Sequence, residues 1–358
     1  MNKSPVICFY QENQFISSED YLYLECPFNQ DPSAFLKEIE KNFYKKMKIV
    51  SIHFNAFSEQ TNQPIVTQDC LIQVYILNKY SLHHFQNFLP DSNLNYRLNF
   101  KPDIQKNDFC NKIELIKSDI KKGRYYQVNF TSSFSSPHSI SNQNEKMDLF
   151  KYYFKKFDSP YCAFLPGSIY DTLCFSPELF LKKEKTAIIT QPIKGTLHSK
   201  EINDLRKSEK EASELSMIVD LLRNDLQQIC TGPVQVTQHR SEMKLSYTTH
   251  TFSEIKGSTN KSFTEIIQAM SPGGSISGCP KKESLKAINE LESHQRHFYT
   301  GSIGWWQDSD FTLNLAIRSF MLLPDQMKYF TGCGIVYDSQ PKQEWVEFLT
   351  KAKPLDLL

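Results

Sequence analysis

The spacing of apolar positions changes along the chain, and each spacing predicts a different element. Short alternating or wholly apolar runs predict strands, whereas recurrence every three or four residues predicts helix. The first hundred residues are rich in Asn, Gln, Phe and Tyr and carry only short β-like runs, such as VICFY (6–10) and CLIQVYIL (70–77). Asn/Asp-rich stretches at 91–98 and 103–108 read as linkers. From Ile113 onward, longer helical patterns alternate with strands. Residues 143–157 predict a helix, and YCAFL (161–165), LCFS (173–176) and LFLKKEKTAIIT (179–190) predict successive antiparallel strands. The longest amphipathic candidate is 203–228, where Leu215, Ile218, Leu221, Leu222 and Leu226 recur at helical spacing. A helix over 280–292 takes Pro280 into its first turn. Strands follow at 302–307, 312–323 and 327–337, and a last helix over 341–352 can be capped by Asp338 or Ser339. Runs of strands mixed with runs of helices, without strict βαβ alternation, predict an α+β fold with antiparallel sheet.

Composition narrows the class. The chain has 358 residues, 40% hydrophobic and 13% aromatic, enough for a sizeable core in one large domain or a domain with a small lobe. Lys+Arg 41 against Asp+Glu 40 leaves +1, which argues against nucleic acid or an anionic membrane as partner. No apolar run suggests a signal peptide or a transmembrane helix. The nine cysteines are scattered without a Cys-x-x-Cys pair, as expected of free thiols in a reducing cytoplasm.

Several residues carry candidate chemistry. Glu211 and Glu214 share one helix face, and Glu344 and Glu347 share another, with Lys351 one turn beyond. Two such pairs can supply carboxylates to one Mg²⁺ together with an anionic substrate, although each alone is also an ordinary solvated face. SPGGSISG (271–278) and TGCGIV (331–336) offer backbone amides to an anion, or are plain turns. Arg318, inside an apolar strand pattern LAIRSF, suits a bidentate carboxylate. His250 in YTTHTFSE reads as a core histidine or a site residue. Glu178 in FSPELFL reads as a strand-edge glutamate or as a buried carboxyl kept protonated for general-acid work. Lys194, set between Ile193 and Gly195 in QPIKGT, is a strand-end lysine or a held charge or nucleophile.

Taken together, ten motifs occur in one order: GRYYQVNFT (123–131), FSPELFL (175–181), QPIKGT (191–196), MIVDLLRND (217–225), the His250 segment, PGGSISGCPK (272–281), YTGSIGW (299–305), LAIRS (315–319), GCGIVYDS (332–339) and EWVEFLTKA (344–352). The set resembles the chorismate-utilising enzymes over about residues 110–352. The resemblance implies an α/β/β/α sandwich of two facing sheets with the site in a deep cleft. It implies a shortened N-terminal part, 1–105, packing on a catalytic core, 106–358. Glu214 and Glu347 match Mg²⁺ ligands, with Glu211 and Glu344 acting directly or through water. Tyr299 and Arg318 match holders of the enolpyruvyl carboxylate. Gln127, Gly195, Thr196, Gly274, Gly332, Gly334 and Lys351 complete the substrate-contacting set, and His250 joins Lys194 and Glu178 as catalytic. Cys333 stands where relatives carry Gly or Ala.

Within the family, Pro-Ile-Lys-Gly-Thr is similar to the aminodeoxychorismate synthase branch, whereas anthranilate synthases read Pro-Ile-Ala-Gly-Thr. The branch resemblance implies that Lys194 attacks C2 of the chorismate ring while Glu178 protonates the departing C4 hydroxyl, and that ammonia then takes C4. Gln127 occupies the position where isochorismate and salicylate synthases carry a basic lysine, and glutamine cannot activate water by taking its proton. No glutaminase signature is present, so the resemblance implies a separate glutamine amidotransferase subunit. The Leu-Leu-Glu-Ser element of tryptophan-inhibited relatives is missing. Anthranilate synthase component I is the enzymatic alternative, and an inactive chorismate- or partner-binding paralogue is the other.

Overall fold

The computed structural model of the chain describes residues 7–58, 70–84, 96, 98–198, 209–244 and 248–356. In chain order it begins with β1 (Ile7–Gln11), β2 (Gln14–Pro27), α1 (Pro32–Asn42), β3 (Lys48–Ile52), β4 (Cys70–His84), β5 (Lys101–Pro102) and α2 (Lys106–Lys121). Next come β6 (Gln127–Pro137), α3 (Gln143–Phe157), β7 (Tyr161–Leu165), β8 (Asp171–Ser176), β9 (Leu179–Glu184), β10 (Ala187–Gln191) and β11 (Ile193–His198). They are followed by α4 (Glu209–Gln227), β12 (Gln235–Lys244), β13 (Thr248–Ser258), α5 (Phe263–Met270), α6 (Gly274–Ser277), β14 (Gly278–Cys279) and α7 (Lys281–Leu291). The chain closes with β15 (Ser302–Gln307), β16 (Asp310–Leu315), β17 (Ser319–Leu322), β18 (Gln326–Ile335) and α8 (Pro341–Lys351). None of the described helices is long and apolar enough to cross a membrane.

Every ladder is antiparallel, and the pairings form one path. From β12 the path runs through β13 to β10 and β11, then β9, β16, β15, β3, β4 and β2. It continues through β1, β7, β8, β17 and β18 to β6. Residues of β3, β4 and β15 share one buried cluster with residues of β1, β7, β8, β17 and β18, so the two halves of the ladder face each other, and Lys194 of β11 comes close to Gly334 of β18. Helices cover the outside. On one side α4 lies on β11–β13 and packs on α5, which packs on α1; on the other α2 and α8 pair over β18 while α3 lies on β7 and β8. This is the expected α/β/β/α layering.

Aromatic side chains fill the space beneath the helices. Phe157 of α3 stacks on Phe175 at 5.2 Å, and Tyr153 sits 4.4 Å from Phe320. Beneath α8, Phe348 stacks on Phe134 at 4.8 Å and meets Phe109 of α2 at 5.1 Å. Phe263 of α5 stacks on Trp306 at 4.0 Å. Such pairs add to the stabilisation from burial alone, which explains an aromatic content of 13%.

The structure corrects four local expectations. Of residues 103–108 only 103–105 are a connection: α2 starts at Lys106, and Asp108 sits in its first turn, where a negative charge favours the helix dipole. Helix α1, absent from the periodicity reading, is nucleated by Asp31, whose side chain accepts the Ser33 N–H at 2.9 Å. Arg318 is not within a strand; β16 ends at Leu315, and Arg318 turns the chain into β17 with a left-handed φ of 52°. The cap of α8 is Gln340, because the Ser339 hydroxyl is occupied by the Val336 N–H. Residues 203–208 of the expected long helix and most of 91–98 lie outside the described residues.

Candidate active site

Lys194 and Glu178 meet in the cleft. The Lys194 carbonyl accepts the Thr251 hydroxyl at 2.7 Å, and the β11–β13 register slips between Lys194 and Thr196. A slip of this kind re-aims a side chain out of the ladder. Glu178 lies between β8 and β9, its N–H donating to Ser176 Oγ at 3.1 Å and its carbonyl accepting the Leu315 N–H at 3.0 Å. Its side chain is buried, and burial pushes the carboxyl up to about 7 against the opposing effects of the Lys194 charge, the Ile193 N–H and the Ser275 hydroxyl. A carboxyl so tuned is half protonated near neutrality, as a general acid requires.

Opposite them stand Gln127 of β6 and Gly334 of β18. An ideal Cβ on Gly334 would lie 2.8 Å from Gln127 Nε2 and 3.7 Å from Lys194 Nζ, so bare backbone is what lets the amide and the amine share this spot. Gln127 is buried, and its carbonyl accepts the Ser284 hydroxyl at 3.0 Å. Gly278, at φ 131°, packs against the Gln127 carbonyl, where an ideal Cβ would intrude to 2.2 Å. Gly278→Ala is therefore expected to cost at least about 2 kcal/mol from strain and overpacking. The check is a lowered urea midpoint with an unchanged m-value.

A cationic wall lines the same cleft. Arg318 Nη2 lies 3.4 Å from Nε2 of the buried His250, which is paired in register with Thr196. Burial lowers the Arg318 pKa from its ordinary value, while Tyr329 works the other way. Tyr299 is buried and stacks on Phe330 at 5.2 Å; burial pushes its hydroxyl up, so it remains a donor. Lys351 Nζ donates to the Gly332 carbonyl at 2.7 Å and pairs with Glu347 at 2.7 Å. Desolvation works against its charge, but Glu347 overrides it and holds the ammonium above its usual value.

Among the described residues, Cys333, Glu344 and Glu347 bring ligand atoms within 4.8 Å of one another. Glu344 is buried and Glu347 exposed on one face of α8, and their hard oxygens suit Mg²⁺. Cys333 points to the opposite face of β18 from Gly332 and Gly334, and its thiol contacts the Glu344 carbonyl at 3.5 Å. Glu211 and Glu214 belong to α4, and Gly195 and Thr196 to β11, but the side chains of Glu211, Glu214 and Thr196 lie outside the described residues. Gly274 meets α4 directly: an ideal Cβ there would lie 2.4 Å from Leu221 Cδ2.

Sequence reasoning missed Ser275, whose hydroxyl lowers the Glu178 pKa against the effect of burial. Its only signal was its place in the glycine-rich SPGGSISG loop. It also missed the buried ion pair of Glu292 and Arg296, with a 2.6 Å contact.

A family model described as chorismate binding enzyme matches residues 15–356. The chain is 34% identical over 265 residues to aminodeoxychorismate synthase component 1 of Bacillus subtilis, covering 71% of this chain and 56% of that protein. It is 33% identical over 273 residues to an anthranilate synthase component I-like protein of Synechocystis, covering 72% of this chain and 55% of that one. The chain thus spans about half the length of these curated relatives. The crystal structure of anthranilate synthase component I from Streptococcus pneumoniae superimposes with a TM-score of 0.79 at 23% identity, covering 98% of this chain and 90% of that one, which shows a shared fold.

Proposed function

The chain belongs to the chorismate-binding enzymes, and from that premise we propose that it is the chorismate-converting component of an aminodeoxychorismate synthase. One observation carries the choice: an amine, Lys194, faces the cleft beside a buried carboxyl poised near neutrality, with Gln127 in place of a basic residue. The Lys194 amine nitrogen forms a bond to ring C2 as the double bonds shift and the C4 hydroxyl departs. Glu178 supplies the proton, so that group leaves as water. Ammonia then bonds to C4, the double bonds shift back, and the lysine nitrogen leaves C2. An amine occupying C2 directs nitrogen to C4 and excludes the anthranilate regiochemistry. Arg318, Tyr299, Lys351 and the backbone at Gly332 and Gly334 hold the substrate carboxylates, while His250 orients Arg318.

Mg²⁺ fits the carboxylates of Glu344 and Glu347, which would hold it together with Glu211 and Glu214 of α4. Bound there, the cation would neutralise a substrate carboxylate. Glu347→Gln is expected to raise the Mg²⁺ concentration needed for half-maximal activity by at least about tenfold, and chelation to abolish turnover. A magnesium titration of chorismate consumption checks both.

Ammonia would come from a glutamine amidotransferase subunit in the cytoplasm. Anthranilate synthase component I is the second reading, supported by relatives of either kind at nearly equal identity, 34% and 33%. Mass spectrometry of the products from chorismate, Mg²⁺ and ammonium, with and without an aminodeoxychorismate lyase, separates the two. Anthranilate as the main product without lyase would overturn the assignment; p-aminobenzoate formed only with lyase supports it.

A further inference from the structure

Thr300 is buried and holds a left-handed φ of 61°. Among the described non-glycine residues with such a φ, it is the only β-branched one. Glycine takes this conformation freely, whereas a branched Cβ crowds the backbone there, so the surroundings must hold the threonine in place. Its polar atoms show how. The Thr300 hydroxyl donates to the Tyr299 carbonyl at 2.6 Å and accepts Arg296 Nη1 at 3.2 Å. The Thr300 N–H donates to the Ala316 carbonyl at 2.8 Å, and the Ala316 N–H donates back to the Gly301 carbonyl at 2.9 Å. The Arg296 carbonyl accepts the Tyr299 N–H at 2.8 Å, which closes the turn.

Arg296 gives this turn an anchor. It is buried and joined twice to the buried Glu292, Nε to Oε2 at 2.9 Å and Nη2 to Oε1 at 2.6 Å. Its remaining bonds reach the Ile276 carbonyl at 2.9 Å and the Asn129 carbonyl at 2.5 Å. Thr300 thus ties Tyr299 to the ion pair on one side and, on the other, to Ala316, the residue that follows β16. Arg318 stands two residues beyond Ala316 and is itself left-handed, at φ 52°. The two residues assigned to the enolpyruvyl carboxylate, Tyr299 and Arg318, therefore sit on the two backbone segments that Thr300 joins. We infer that Thr300 is a positioning residue: its hydroxyl and N–H fix Tyr299 relative to Arg318, so that both meet one substrate carboxylate. The inference rests on the carboxylate role proposed for that pair.

Serine would keep the hydroxyl on a less crowded Cβ, whereas glycine removes both the hydroxyl and the crowding. Because glycine relieves the strained φ, Thr300→Gly is expected to fold. Two measurements compare Thr300→Gly and Thr300→Ser with the parent chain. The first is hydrogen exchange by mass spectrometry. Exchange over residues 296–302 is expected to rise at least about tenfold in Thr300→Gly while peptides from α3 keep their protection, and Thr300→Ser should match the parent. The second is steady-state consumption of chorismate, read whatever the product. Thr300→Gly should raise KM about tenfold with kcat within about twofold, the mark of lost binding shared by ground and transition states, and Thr300→Ser should keep the parent KM. Thr300→Gly combined with Tyr299→Phe should raise KM no further than the worse single variant. A parent-like KM or unchanged exchange in Thr300→Gly, a serine variant as impaired as the glycine one, or losses that multiply in the double variant would overturn the inference. Tyr299→Phe with the parent KM would remove the carboxylate role instead, and a parent chain that consumes no chorismate would sink the proposed function. In either case the exchange pattern still decides whether Thr300 holds the turn.

Discussion

Lys194→Ala is expected to lower formation of the C4-aminated product at least about a thousand-fold, the scale of losing a covalent nucleophile. Chorismate should still bind, because Arg318, Tyr299 and Lys351 contribute the polar contacts proposed for its carboxylates. Nitrogen arriving without an amine at C2 is free to add there, so any residual turnover should drift towards anthranilate. The measurement is product ratio by chromatography and mass spectrometry at saturating ammonium. If product and rate were unchanged, the covalent step would have to be abandoned. The substitution is structurally mild: Lys194 is partly exposed to the cleft, and its backbone tie, the Thr251 hydroxyl to its carbonyl, survives a change of side chain.

Glu178→Gln is expected to lower kcat by about 100- to 10,000-fold, the usual worth of a positioned general acid. Glutamine is isosteric, but its amide has no acidic proton to give to the leaving hydroxyl. The parent enzyme should show a matching pH dependence. Burial raises the Glu178 pKa to about 7, so the proton-bearing form dominates below that pH and is lost above it. Turnover should therefore fall on the alkaline side of about pH 7, approaching tenfold per pH unit, and the residual activity of Glu178→Gln should lack this limb. A parent profile that rises through pH 7 to 8 would make Glu178 a base or a bystander.

Much of the secondary structure was legible from spacing. Helix α3 runs over Gln143–Phe157 and β7 over Tyr161–Leu165, matching the predicted spans, because α3 turns one apolar face to the core while the wholly apolar β7 is buried on both faces. The stretch 179–190 was read as strand, and the hairpin within it turns at Lys185 with φ 55°. Polar stretches misled for one reason: an Asn/Asp-rich run looks the same whether it is a linker or a helix start. Asp108 at the start of α2 and Asp31 at the cap of α1 show the second case. Arg318 sat in a run of apolar residues that continues on both sides of a turn, and spacing alone has no mark for a single left-handed residue.

From the order of its motifs, the chain declared its family, the cleft residues Lys194, Glu178 and Gln127, and the helix-borne carboxylates, because family chemistry is carried by residue types in a fixed succession. Only folding brought Gln127, Lys194 and Gly334 to one point, from strands far apart in the chain. Only folding threaded Arg296 between Asn129, Ile276 and Thr300. Local spacing is imposed by neighbouring backbone geometry and so leaves a trace in consecutive residues. A hydrogen bond across the cleft depends on where two distant strands stop, and no stretch of consecutive residues records that.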